Sequence, residues 1–179
     1  MASPPGATAS LATASAGGGI IVGNSSTLTL TKSSFVGNQV IGGAGSAGGA
    51  GSAGLGGGIS VADGVLFGLP DSSSIAISGS TLSDNVAQGG AGGSGGNGGS
   101  GLGGGVYVAS GMAWIDHTSI TGNQAVGGAA GKHGSAGQGI GGGIYIAPSA
   151  TAGEVNVIIT GNFASTSNDD VFGVFKPSC

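Results

Sequence analysis

The tightest constraint on this chain is a motif that returns four times, three glycines followed by an apolar triplet. It reads GGGIIV at 17–22, GGGISV at 56–61, GGGVYV at 103–108 and GGGIYI at 141–146, with starts 39, 47 and 38 residues apart. A second mark keeps step with it. FVGNQ, LSDNV, ITGNQ and ITGNF place Asn38, Asn85, Asn123 and Asn162 at equivalent points, and each of the first three lies 18 residues before the next GGG. The longer second unit takes its extra residues elsewhere, around GVLFGLPDSSS at 64–74. A fixed period of this kind is the signature of stacked repeats.

Within each unit the apolar residues alternate. Ile20/Val22, Ile59/Val61, Val106/Val108 and Ile144/Ile146 flank Ile21, Ser60, Tyr107 and Tyr145, the pattern of a strand with one buried face. TLTLT, SSIAIS, MAWID and EVNVII follow, and a third strand ends near Phe35, Leu82, Ile120 or Ile159. No segment has a 3.6-residue apolar period. The expectation is an all-β solenoid of about four coils, three short strands to a coil, stacked ~4.8 Å apart. Asparagine accepts left-handed backbone and bonds its neighbours, so Asn38, Asn85, Asn123 and Asn162 are expected to form a ladder from coil to coil.

The composite GGGIYV…LTIT.STITGN.A.GG resembles the right-handed parallel β-helix repeat of polymorphic outer-membrane and autotransporter-type surface proteins. The resemblance covers residues 17–175, and NDDVFG near the end is similar to the way such arrays close. It implies a parallel β-helix in an extracellular or cell-surface setting and no single activity. Units of that type run about 25 residues, so each unit here is longer by some 14.

The extra residues form three glycine-rich inserts of equal length, 42–55, 89–102 and 127–140. Each begins four residues after its asparagine and ends in Leu or Ile, whereas loops that merely tolerate insertion drift in length. Their glycines recur every third residue, the period of a polyproline-II-type helix. The first insert carries Gly42, Gly45, Gly48, Gly51 and Gly54; the third carries Gly128, Gly131, Gly134 and Gly137, one step out of phase. Only the middle insert has both sets, Gly89, Gly92, Gly95, Gly98 and Gly101 together with Gly90, Gly93, Gly96 and Gly99. A helix bare on two of three faces is one with neighbours on both sides. The inserts are therefore expected to stack as polyglycine-II helices in coil order, with Ala91, Ser94, Asn97, Ser100 and Ala129, Lys132, Ser135, Gln138 toward solvent. Fully extended, 14 residues reach roughly 43 Å, so each segment is either one long straight side or an out-and-back arm. Residues 1–16 are read as an N-terminal segment, a further such layer or a cap, ahead of the β-helix of 17–179.

Chemistry-bearing residues are sparse. Lys32, Lys132 and Lys176 are the only cationic side chains besides two histidines, and the net charge of −4 argues against nucleic acid. No metal site or cofactor motif is expected: Asp169–Asp170 read as a solvated turn, and the glycine runs lack the Gly-Lys-Ser/Thr of a phosphate loop. Asp116, His117 and Ser119 are close in sequence, but strand neighbours point to opposite faces, so no relay is expected between Asp116 and His117. Tyr107, Tyr145 and Trp114 project outward, as ligand or interface aromatics. No apolar run reaches the ~18 residues of a membrane-spanning helix, and the first residues do not read as a signal peptide. Cys179 has no second cysteine to pair with.

The function expected is a non-catalytic, extracellular or cell-surface structural or adhesive module. Its partners are itself, head to tail in a filament, or neighbouring repeats of a longer array. The alternatives are a ligand-binding module, for a glycan or ice, and, disfavoured for want of an acid cluster, a carbohydrate-active β-helix enzyme.

Overall fold

In the computed structural model of the chain, residues 14–62 and 73–176 are described. They form five parallel sheets wrapped around one core, every pairing running between equivalent segments of successive coils. The glycine-triplet strands Ile20–Val22, Ile59–Val61, Val106–Val108 and Ile144–Ile146 make one sheet, closed by Val171–Phe172. Thr27–Thr31, Ser74–Ser78, Met112–Asp116 and Thr151–Val155 make the longest. Ser34–Val36, Thr81–Ser83, Ser119–Thr121 and Ile158–Thr160 follow it.

Two sheets go beyond the three strands per coil expected. Gln39–Ile41, Val86–Gln88, Gln124–Val126 and Phe163–Ala164 lie just after the asparagines. Gly54–Leu55, Gly101–Leu102 and Gly139–Ile140 lie at the return of each glycine insert, and Ser15–Ala16 pairs with the first of them. Their sequence signal is weak for a physical reason. The first group has one inward side chain per strand, Val40, Ala87, Ala125 or Ala164, and the second presents a glycine where a side chain would announce burial.

The core is a set of aliphatic columns. Ile59, Val106 and Ile144 stack in register, as do Val22, Val61, Val108 and Ile146, and Ile75, Ala113 and Ala152. Burial of such side chains contributes roughly 1.5–3 kcal/mol each, the main favourable term for a stack without helices. The ends are less complete. Ile20, Leu28, Leu30 and Phe35 at the N-terminal end, and Val157, Ile159, Val171 and Phe175 at the C-terminal end, are only partly buried.

The glycine inserts are out-and-back arms. Ser52 donates its N–H to the Gly43 carbonyl, Gly99 to Gly90 and Gly137 to Gly128, so two legs run side by side in each arm. At the tips Gly49, Gly96 and Gly134 bond back to Ser46, Gly93 and Gly131, three residues earlier. The residue before each closing donor is left-handed: Gly48, Gly95 and His133 have φ of 77°, 85° and 68°. This is a type II turn, which needs positive φ at its third position.

Candidate functional site

The most ordered polar feature runs through the interior. Asn38 donates from its backbone N–H and its side-chain amide to Oδ1 of Asn85, at 3.0 and 2.9 Å. Asn85 does the same to Asn123 (3.0 and 2.8 Å), and Asn123 to Asn162 (2.9 and 2.9 Å). The other amide hydrogen reaches the coil on the opposite side: Asn85 donates to the Phe35 carbonyl, Asn123 to Leu82 and Asn162 to Ile120. Asn85 and Asn123 are wholly buried, and each amide binds together three successive coils. The residue before each asparagine, Gly37, Asp84, Gly122 or Gly161, is left-handed, and that bend turns the amide inward. The third glycine of each triplet makes room for it: a Cβ on Gly58 or Gly105 would sit 3.3 or 3.2 Å from Cγ of Asn85 or Asn123.

The ladder ends on a carboxylate. Asn162 donates from its backbone and amide to Oδ1 of Asp170 (3.2 and 2.8 Å), while Asp169 Oδ1 accepts the Ala164 N–H. The pair expected as a solvated turn is thus a structural acceptor. A second ladder, not legible beforehand, is built of hydroxyls. Ser33 donates its N–H to Ser80 Oγ and Ser80 its N–H to Thr118 Oγ1, and each hydroxyl donates to the carbonyl two residues before it. Val157 ends this series, since it offers no acceptor.

The arms form a second lattice. Gly42 donates to the carbonyl of Gln88, just before the middle arm, and Gly45, Gly48, Gly51 and Gly54 to those of Ala91, Ser94, Asn97 and Ser100 within it. Gly89, Gly92, Gly95, Gly98 and Gly101 donate in turn to Val126, Ala129, Lys132, Ser135 and Gln138 of the third. The other glycine set points back: Gly90 and Gly93 donate to Ser52 and Gly49, Gly128 and Gly131 to Gly99 and Gly96. A Cβ on Gly93, Gly96 or Gly99 would run into the carbonyls of Ser46, Gly49 or Ser52, and one on Gly131, Gly134 or Gly137 into those of Gly93, Gly96 or Gly99. The solvent rows lie where the period places them, with Ala91, Ser94, Asn97, Ala129, Lys132, Ser135 and Gln138 exposed. Ser15 and Ala16 pair in register with Gly54 and Leu55; residues 1–13, where the sequence allowed a further layer or a cap, lie outside the described residues.

The outward aromatics stack on one another. Tyr107 and Tyr145 have ring centroids 5.3 Å apart, and Tyr145 and Phe172 4.6 Å, with planes within 28° and 16°. Burial, and secondarily Tyr145, push the Tyr107 phenol above its ordinary pKa of 10.0. Trp114 lies over Gly153 of the next coil, where a Cβ would strike the indole ring. Tyr145 thus spends both faces on neighbouring rings, while Tyr107 and Phe172 each spend one.

Asp116 and His117 do meet, contrary to the expectation drawn from strand alternation. His117 lies one residue past the strand, with φ of 42°, and its Nδ1 is 2.6 Å from Asp116 Oδ1. Its Nε2 is 3.2 Å from the Asn156 amide nitrogen, and Ser78 Oγ donates to Asp116 Oδ2 at 3.3 Å. With Nδ1–H donated to the carboxylate, Nε2 accepts from the Asn156 amide. A relay would need a nucleophilic hydroxyl at that nitrogen, and Ser78 lies instead on the far side of the carboxylate. Among the described residues, no three His, Cys, Asp or Glu side chains converge as metal ligands. Comparison with protein-family models, with curated proteins and with solved structures finds no match for this chain.

Proposed function

We propose that the chain is a non-catalytic structural module of an extracellular or cell-surface solenoid, a stiff segment that joins further coils through its N-terminal end. The observation that carries this reading is the difference between its two ends. At the C-terminal end Asp170 accepts the last ladder donors and Lys176 donates its N–H to the Ala152 carbonyl, covering a strand edge. At the N-terminal end the inward Ile20, Leu28, Leu30 and Phe35 are half open. The outward Ile21, Val36 and Ile41 there are 58%, 56% and 51% exposed; Ile158, Phe163 and Val174 at the C-terminal end are exposed as well (61%, 50% and 77%), so the ends differ in the closure of their strand edges and not in apolar surface.

An apolar rim around strand edges that have no partner among the described residues is a surface that takes another coil. Of the two arrangements considered from the sequence, a place in a longer array fits this asymmetry better than a free head-to-tail filament. An ice-binding face is less well supported, because the Ser34/Thr81/Ser119 and Ser83/Thr121/Thr160 rows are interrupted by Ile158 and Val36. Light scattering and negative-stain microscopy of the purified chain test the proposal. Short particles without fibres are expected, and long fibres with a regular axial repeat would overturn it.

A further inference from the structure

The segment 167–173 is a fifth copy of the motif that opens every coil, brought forward by loss of the arm. Ser167-Asn168-Asp169-Asp170-Val171-Phe172-Gly173 lies on Ile140-Gly141-Gly142-Gly143-Ile144-Tyr145-Ile146. Ile140 bridges Ser167, and Ile144 and Tyr145 pair with Val171 and Phe172. The N–H groups of Gly141, Gly142, Gly143 and Ile144 donate to the carbonyls of Ser167, Asn168, Asp169 and Asp170, the pattern made between the second and third triplets. Asn168 has φ of 61° where Gly141 has 67°. The interval from asparagine to motif has shrunk from 18 residues to 6.

This rung fills a seat of defined polarity. Every coil turns its asparagine backbone N–H and one amide hydrogen toward the C-terminal end and its Oδ1 acceptor toward the N-terminal end, the second amide hydrogen reaching a carbonyl of the preceding coil. Two N-terminal ends brought together in register would set the Asn38 oxygens against each other. A C-terminal end relieved of its last rung would instead offer the Asn162 donors to Asn38 of another molecule, as Asn123 offers its own to Asn162. Asp170 supplies in cis the oxygen that Asn38 would supply in trans.

The arms carry a separate closure at the same end. Ala130, His133 and Ala136 of the third arm stand at the positions of Gly45, Gly48, Gly51 and of Gly92, Gly95, Gly98, which donate to the next layer. Their side chains occupy the face that a fourth close-packed layer would need bare, and all three are exposed.

We infer that the surface beneath residues 167–176 is a head-to-tail docking site for the N-terminal coil of a second copy, kept shut by that rung, by the Lys176 N–H on the Ala152 edge and by the Ala130/His133/Ala136 face. It rests on the reading of the N-terminal coil as a receiving end. The full-length chain is tested with D170A/V171K, which removes the acceptor and puts a charge into the inward position, alone and with A130G/H133G/A136G. Hydrogen exchange at Gly143, Ile144 and Asn162 reports release of the rung, and light scattering reports mass.

Exchange at these amides is expected to rise at least about tenfold. The combined variant is expected to reach about twice the monomer mass or more as concentration rises, and Leu28→Lys in the same background to return it to monomer. A released rung with monomer mass at all concentrations overturns the inference, as do amides that stay protected, or oligomers indifferent to Leu28→Lys. Should D170A/V171K fail to fold, Asp170→Ala replaces it with the same readouts. Fibres formed by the unmodified chain would sink the array role and the closure together, whereas monomeric released variants sink the closure alone.

Discussion

Asn123 shows what a single residue does here. It is fully buried and serves as acceptor for two donors of Asn85, while its own N–H and amide reach Asn162 and Leu82. Replacing it by Leu strands donors and acceptors in a dry interior, where each unpaired group costs about 1–3 kcal/mol. We expect Asn123→Leu to lower unfolding free energy by about 3 kcal/mol or more in denaturant titrations. The half-buried Asn38, with no coil described before it, should lose about 1 kcal/mol or less on the same change. Equal losses at the two positions would mean that the ladder does not act as a continuous chain.

Tyr107 offers a pH test at the same scale. Its phenol pKa is raised in the fold, chiefly by burial, so the folded state holds the proton more tightly than the unfolded chain does. That contribution is fully present below the unfolded value near 10 and is lost as pH climbs through the folded value. Absorbance titration should show a phenol ionising above the ordinary value that Tyr107→Phe removes, and the same change should reduce the fall in stability above pH ~10. A titration with no raised component that Tyr107→Phe removes would contradict the burial of this phenol. Trp114 reports on its own contact: Gly153→Ala forces the indole away, so the fluorescence of this sole tryptophan should shift red.

At the scale of elements, the arms are governed by where a methyl group fits. Gly43 and Gly93 belong to the same period-three phase, one in the first arm and one in the middle arm. A Cβ on Gly93 meets the Ser46 carbonyl, whereas one on Gly43 finds only Ser52 Oγ, 3.7 Å away. Gly93→Ala is therefore expected to cost about 2 kcal/mol or more and Gly43→Ala within about 0.5 kcal/mol of nothing, read from thermal or denaturant unfolding. Matching effects would show that the arms are not close-packed.

Much of this level was legible in the sequence, because phase carries the information: the out-of-step glycine sets of the outer arms state which face of each meets the middle one. The folded-back path was not, since a period of three is the same in a straight segment and in two legs, and tips such as Ser94-Gly95 look like the rest of the arm. The last rung was hidden differently. Asn168-Asp169-Asp170 keeps the backbone course of three glycines, but with side chains that turn a repeating motif into a closing one. The Asp116–His117 contact escaped because the strand ends one residue sooner than alternation assumes, and the left-handed His117 then swings its ring back.

At the scale of the molecule, the coils and arms are one object. Each arm leaves from the strand after an asparagine and returns at the strand before a glycine triplet, so coil register and arm register enforce each other. Equivalent residues of successive arms test directly whether the arms are layers of the solenoid rather than linkers. Gly92, Gly95 and Gly98 each donate an N–H to the third arm, whereas their counterparts Ala130, His133 and Ala136 have no further arm to donate to. Residue-resolved amide hydrogen exchange of the intact chain should find the three glycines protected to nearly the degree of Val106 in the core, with Ala130, His133 and Ala136 exchanging close to the rate of an open chain. Fast exchange at all six positions would contradict the account.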